Sequence, residues 1–155
     1  MSSAKIRLGM VGGGQGAFIG EVHRIAARLD NRFELVAGAL SSDPQRATDS
    51  AAELGIDPKR SYNSFEEMAS REGKLKSGIE AVAIVTPNHL HCAAAKAFLN
   101  AGIHVICDKP LAANLDDAEA LATLATDSGL VFTVTYNYSG YPMVRQARQM
   151  VAAGK

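Results

Sequence analysis

The sequence predicts an α/β domain, a Rossmann-type doubly wound parallel sheet with helices packed on its faces. Three observations predict it. Strand-like apolar runs alternate with amphipathic helical runs along the chain, the first strand runs straight into the cluster Gly12-Gly13-Gly14-Gln15-Gly16-Ala17, and polar clusters follow the later strands. No internal repeat or low-complexity tract interrupts that alternation.

Residues 5–11 read as the first strand. Beyond the glycines, Phe18, Val22, Ile25 and Leu29 recur at intervals of four, three and four, which draws one apolar face on a helix over about 17–29. Residues 33–40 form a second strand, apolar on both faces as a central parallel strand is. Asp43-Pro44 is an N-cap followed by proline at the first helical position, and this helix closes near Gly55. The stretch from Pro58 to Ser64, with Tyr62 in it, is a candidate third strand at the sheet edge. Ser64-Phe65-Glu66-Glu67 fits a capping box for a short helix reaching about Arg71.

Residues 80–86 are a fourth strand, ended by Pro87, and Asn88 is the candidate cap of the next helix. That helix carries Leu90, Ala94, Ala97, Phe98 and Ala101 inward and stops at Gly102. Residues 103–107 are a fifth strand. Asn114 then caps a helix with Leu115, Ala118, Leu121 and Ala125 on one stripe, ending at Gly129, and residues 130–135 are a sixth strand. After Gly140-Tyr141-Pro142 a last helix places Met143, Ala147, Met150 and Val151 on one side. That stripe needs cover, from the domain's own sheet or from a second domain.

A length of 155 residues suits one domain. Sixteen Lys plus Arg balance sixteen Asp plus Glu, so the formal charge is 0 and there is no electrostatic footprint for nucleic acid or an anionic membrane. The longest nearly apolar run, 79–85, contains Glu80 and falls far short of a membrane span. Residues 1–5 are short and polar and carry no secretory pattern. Cys92 and Cys107 are too few for a disulfide framework, and a reduced, cytoplasmic setting is the economical reading.

The glycine cluster matches G-x-G-x-x-A between a strand and a helix. Gly12 makes the tight turn, Gly14 leaves room for a pyrophosphate, and Ala17 is small enough to bring helix and strand close, with Gln15 and Gly16 completing the loop. The helix N-terminus offers unpaired N–H groups to the phosphates. A glycine-rich turn also serves simple chain reversal, but the strand before, the helix after and the following rhythm favour dinucleotide binding. The second strand ends in Leu40-Ser41-Ser42-Asp43, with no carboxylate placed for a ribose 2′-hydroxyl, and Arg46 follows one helical turn later. Ser41, Ser42 and Arg46 suit a 2′-phosphate, which tilts the reading towards NADP over NAD. In the alternative, Asp43 caps its helix, Arg46 is solvated, and Ser41 or Ser42 serves either cofactor.

Two more clusters, Thr86-Pro87-Asn88-His89-Leu90-His91 and Cys107-Asp108-Lys109-Pro110, lie at the carboxyl ends of the fourth and fifth strands, and Tyr136-Asn137-Tyr138 follows the sixth. Together with the glycine loop they resemble the N-terminal half of the Gfo/Idh/MocA oxidoreductase family, over residues 6 to about 137. The family's Glu-Lys-Pro stands here as Asp108-Lys109-Pro110, a shorter acid that alters contacts to the cofactor. The resemblance implies that Lys109 reaches the nicotinamide and the reacting carbon, where a cation stabilises a developing alkoxide. It also implies that the peptide before Pro110 is cis, that Thr86, Asn88 and His91 line the cofactor, and that Asn137 lies near the carboxamide. For His91 the expected role is to contact the dinucleotide or to orient Asn88.

His23 and His89 read as surface or packing residues, and His104 has no companion ligand. No metal is expected, because no pair among the histidines and cysteines has ligand spacing. Cys107 has no base beside it and reads as a small apolar strand residue. The resemblance assigns residues 1–138 to the cofactor domain and 139–155 to the crossover towards a C-terminal α+β domain. That second domain would supply the sugar or polyol pocket and the contacts of a homo-oligomer, so the 155 residues are expected to bind NAD or NADP without turnover. A competing reading is a non-catalytic dinucleotide-binding or redox-sensing module acting through a partner chain.

Overall fold

The computed structural model describes residues 4–155, so part of the reading of residues 1–5 lies outside the described residues. The strands are β1 (Ile6–Gly12), β2 (Phe33–Ala39), β3 (Ala81–Val85), β4 (His104–Cys107) and β5 (Phe132–Val134). They pair in parallel in the order β2-β1-β3-β4-β5. The helices are α1 (Phe18–Arg28), α2 (Pro44–Glu53), α3 (Phe65–Glu72), α4 (His91–Asn100), α5 (Leu115–Ser128) and α6 (Pro142–Ala152). Strand order reverses between β1 and β3, where Gly12 pairs with Val85, and such a switch point opens a ligand crevice beyond the carboxyl ends of the strands. Among the described residues no helix is long and apolar enough to cross a membrane.

Local chemistry sets the helix starts. Asp43 accepts the Arg46 N–H at 2.7 Å and Asn114 accepts the Asp117 N–H at 2.9 Å, so α2 and α5 begin where their capping residues stand. Ser64 caps α3 through the Glu67 N–H at 3.1 Å, but the box is only half closed, since the Glu67 carboxylate pairs with Arg71 instead. Asn88 does not cap: it opens a 3-10 turn, Asn88–Leu90, and α4 follows with no side-chain cap. The expected third strand is also absent. Asp57 takes the Lys59 N–H at 2.9 Å and Pro58 starts a 3-10 turn, which leaves one isolated parallel bridge, Ser61 to Gly38, and a sheet of five strands.

The sheet face under α3, α4 and α5 holds the larger core, with Val82, Ile84, Val105 and Cys107 meeting Phe98, Leu121 and Tyr62. Beside it Glu72 is buried at 1 % exposure and fully engaged, by Arg60, by the Tyr62 hydroxyl at 2.7 Å and by the Ile79 N–H at 3.0 Å. The other face is covered by α1 with help from α2. Here Phe18, Ile25 and Leu29 of the apolar stripe point outward, at 80, 50 and 82 % exposure, and Val22, 41 % exposed, borders an open groove over Leu8, Ala83 and Ile106. Ile19, Gly20 and Ala27 turn inward instead, and Gly20 lets α1 approach the glycine loop, where an added Cβ would meet the Gly13 backbone. The last helix, α6, buries none of its residues, so its stripe does not cover the domain's own sheet.

Candidate functional site

The glycine loop is locked by its own hydrogen bonds. The Gly14 N–H donates to Leu40 O at 3.1 Å, the Gln15 N–H to Ser50 Oγ at 3.0 Å and the Ala17 N–H to Gly14 O at 3.0 Å. Arg24 Nη1 donates to Gly13 O at 2.6 Å, and the Gln15 side chain turns to Glu53 at 2.5 Å. Gly12 and Gly13 take φ of 77° and 74°, a region costly for other residues. A Cβ on Gly14 would lie 2.8 Å from Leu40 O and 2.7 Å from Ser50 Oγ, so that glycine is needed against the chain itself as well as for room above it. The close helix approach belongs to Gly20, whose added Cβ would collide with the Gly13 backbone, and not to Ala17, which is half-buried and serves as the N-cap position. Sequence reading missed Gly20 because it lies beyond the G-x-G-x-x-A window. Ala17 gives α1 no side-chain cap, so the first-turn N–H groups keep their donor capacity.

At the end of β2, Ser41 Oγ accepts the Asp43 N–H at 3.1 Å, and its own proton remains available. Ser42 and Arg46 are exposed beside it. Asp43 thus caps α2 and Arg46 is solvent-exposed, as the alternative expects, with Ser41 and Ser42 at the end of β2.

Across the switch point, Thr86 Oγ1 is buried without a hydrogen-bond partner, the one such side-chain atom among the described residues. It sits against Gly12, whose added Cβ would lie 3.3 Å from Thr86 Cγ2. His91 is fully buried and does not point to Asn88. Its Nδ1 lies 2.7 Å from Pro110 O and its Nε2 3.0 Å from Thr86 O, so the ring spans the β3 and β4 loops, and the nitrogen that carries the proton donates to the carbonyl it faces. Asn88 itself is exposed.

The Lys109-Pro110 peptide is cis. Lys109 is exposed and forms no ion pair with any described residue. Asp108 turns inward: Thr135 Oγ1 donates to Asp108 Oδ1 at 2.9 Å, and His23 Nε2 on α1 lies 3.7 Å from the same oxygen. Burial lowers the His23 pKa from its ordinary 6.5, against the pull of Asp108. From the sequence His23 reads as a surface or packing residue, and no local pattern joins it to a loop so distant in the chain. Burial and the Asp108 carboxylate push the Cys107 thiol up to about 12, which leaves it protonated and inert at neutral pH. Lys109, Asp108, His23, Asn137 and Tyr138 line one end of a groove of about 510 Å³ whose other end is apolar.

An extended ligand with a phosphate-bearing middle fits this edge. The uncapped α1 start and the open space above Gly16 accept an anion, while Thr86 Oγ1 offers an unused polar atom nearby. Lys109 supplies a free cation at one end and Ser41, Ser42 and Arg46 a polar cluster at the other.

Comparison with known proteins supports the same outline. Residues 6–136 match the model of the oxidoreductase family with an NAD-binding Rossmann fold, GFO_IDH_MocA. An oxidoreductase structure from Sinorhizobium meliloti is 64 % identical, with a TM-score of 0.91 over 98 % of this chain and 42 % of its own. An inositol dehydrogenase homolog from Azotobacter vinelandii, solved with NADH and myo-inositol, is 43 % identical, with a TM-score of 0.93 over 98 % of this chain and 40 % of its own. Levoglucosan dehydrogenase of Pseudarthrobacter phenanthrenivorans is 31 % identical over 96 % of this chain and 37 % of its own. The chain thus spans about two fifths of the length of the relatives it matches.

Proposed function

The chain belongs to the Gfo/Idh/MocA family of oxidoreductases, and from that premise we propose that it carries the cofactor half of a dehydrogenase acting on a hydroxyl-bearing carbon of a sugar, cyclitol or related polyol. The observation that carries this reading is the joint placement of an uncapped α1, the orphaned Thr86 hydroxyl and the unpaired Lys109 along one sheet edge. The substrate class rests on the inositol and levoglucosan named for the relatives. Residues 139–155 are then the crossover to the substrate-binding part of such an enzyme.

A bound nicotinamide dinucleotide supplies the hydride acceptor or donor at C4 of its ring. The first-turn N–H groups of α1 hold the phosphates over Gly12, Gly14 and Gly16, and Thr86, Asn88 and Asn137 border the path towards Lys109. His91 acts by tying the two loops, a step removed from the ligand. The Lys109 ammonium donates a hydrogen bond to the substrate oxygen and stabilises its negative charge as hydride leaves, while the hydroxyl proton passes to a base supplied by the substrate-binding part of the enzyme. Ser41, Ser42 and Arg46 receive a 2′-phosphate, giving NADP the edge over NAD.

Fluorescence titration of the chain with NADPH and NADH tests both levels. Saturable binding of either is expected, with NADPH the tighter, and Arg46→Ala weakening NADPH by about tenfold while sparing NADH. Absence of binding to both overturns the reading; tighter NADH overturns only the NADP preference.

A further inference from the structure

We propose that His23 is a positioning residue of the Lys109 site, closing the inner wall behind Asp108 so that Asp108 does not neutralise its neighbour. This rests on the reading that Lys109 meets the nicotinamide. A carboxylate one residue away from an exposed ammonium is its nearest available partner, and pairing the two would remove the cation the site needs. In the structure they do not pair. The Asp108 carboxylate is drawn into the domain, at 14 % side-chain exposure, between Thr135 Oγ1 at 2.9 Å and His23 Nε2 at 3.7 Å.

Three elements converge on that oxygen. The loop after β4 brings Asp108, the residue after β5 brings Thr135, and α1 brings His23 from the turn beyond Gly20, whose closeness to Gly13 fixes where α1 lies. The imidazole is itself only 11 % exposed, so it offers the carboxylate a polar edge on its inner side, away from the exposed Lys109. At 3.7 Å the contact is looser than a hydrogen bond, and the ring acts as a polar wall completing the grip of Thr135. A glutamate at position 108 would carry its carboxylate one methylene further; the shorter aspartate reaches the inner wall without crossing it.

The test compares two probes that share adenosine and pyrophosphate but differ at the nicotinamide end, NADH and ADP-ribose, titrated against the 155-residue chain. His23→Ala is expected to weaken NADH about fivefold while ADP-ribose stays within about twofold. His23→Gln, which keeps an N–H at the Nε2 position, is expected to recover most of the loss. Combining His23→Ala with Asp108→Ala is expected to bring NADH affinity back to that of Asp108→Ala alone, because without a carboxylate at position 108 the loss of His23 releases nothing onto Lys109. Equal weakening of both probes by His23→Ala means a merely structural role and overturns the proposal, as does unchanged NADH affinity. Failure of the unaltered chain to bind either probe, or to distinguish them, overturns the underlying assignment of Lys109 and the proposal with it. The ratio of the two affinities is insensitive to the folded fraction, so partial unfolding of a variant does not blur the outcome.

Discussion

Along β4 the two sides of one strand live in different surroundings: Val105 and Cys107 are fully buried beneath α4 and α5, whereas His104 and Ile106, between and beside them, are only half-buried on the opposite face. The difference follows from topology. Crossovers between parallel strands are right-handed, and the steps from β3 to β4 and from β4 to β5 run in the same direction across the sheet, so α4 and α5 land on one face. Only the step from β1 to β2 runs the other way, and it places α1 against the second face, where α2 helps to cover the β1 and β2 side. One face is therefore a finished core, and the other is a groove bordered by α1 with Lys109 and Asp108 at its mouth.

The finished face should carry most of the stability. Phe98, fully buried from α4, leaves a large cavity when truncated, and Phe98→Ala is expected to cost about 3–5 kcal/mol, read as a shift of the urea midpoint. A loss comparable to an ordinary surface substitution would break the comparison.

Tyr62 and Glu72 sharpen it through pH. Burial and the hydrogen bond to the Glu72 carboxylate raise the Tyr62 pKa from 10.0 to about 12. The protonated phenol donates to Glu72, so its contribution is fully present below 10.0 and is lost as pH climbs towards about 12, where a phenolate would face a carboxylate. Thermal melts should fall steeply across that window, and Tyr62→Phe should flatten the fall while lowering the melting temperature at neutral pH. An unaltered slope in the variant would remove Tyr62 as its cause.

Much of this was legible in the sequence. The five strands, the caps Asp43, Ser64 and Asn114, and the loops holding Thr86 and Lys109 are local patterns, and local hydrogen bonds enforce them. What escaped is non-local. Periodicity finds the apolar side of α1 but not whether anything covers it, and the sheet-facing side was hidden because Gly20 and Ala27 look unremarkable in a hydrophobicity pattern. His91 and His23 gained their roles from carbonyl and carboxylate partners that only the folded sheet edge brings together. The supposed third strand failed for the opposite reason, a local turn at Pro58 overriding a strand-like run.

The smallest expected effect lies on α1. Ile25 belongs to its outward stripe and is 50 % exposed, so replacing it by serine removes little buried apolar area, and the two residues differ little in helix propensity. Ile25→Ser is expected to change stability by less than about 0.5 kcal/mol in the same urea measurement that reads Phe98→Ala. Because each residue sits on a helix packed against the same sheet, the contrast isolates coverage from helix formation. A cost for Ile25→Ser approaching that of Phe98→Ala, growing with protein concentration, would mean that the stripe is buried against another copy in solution, and the open face would have to be counted as a second core.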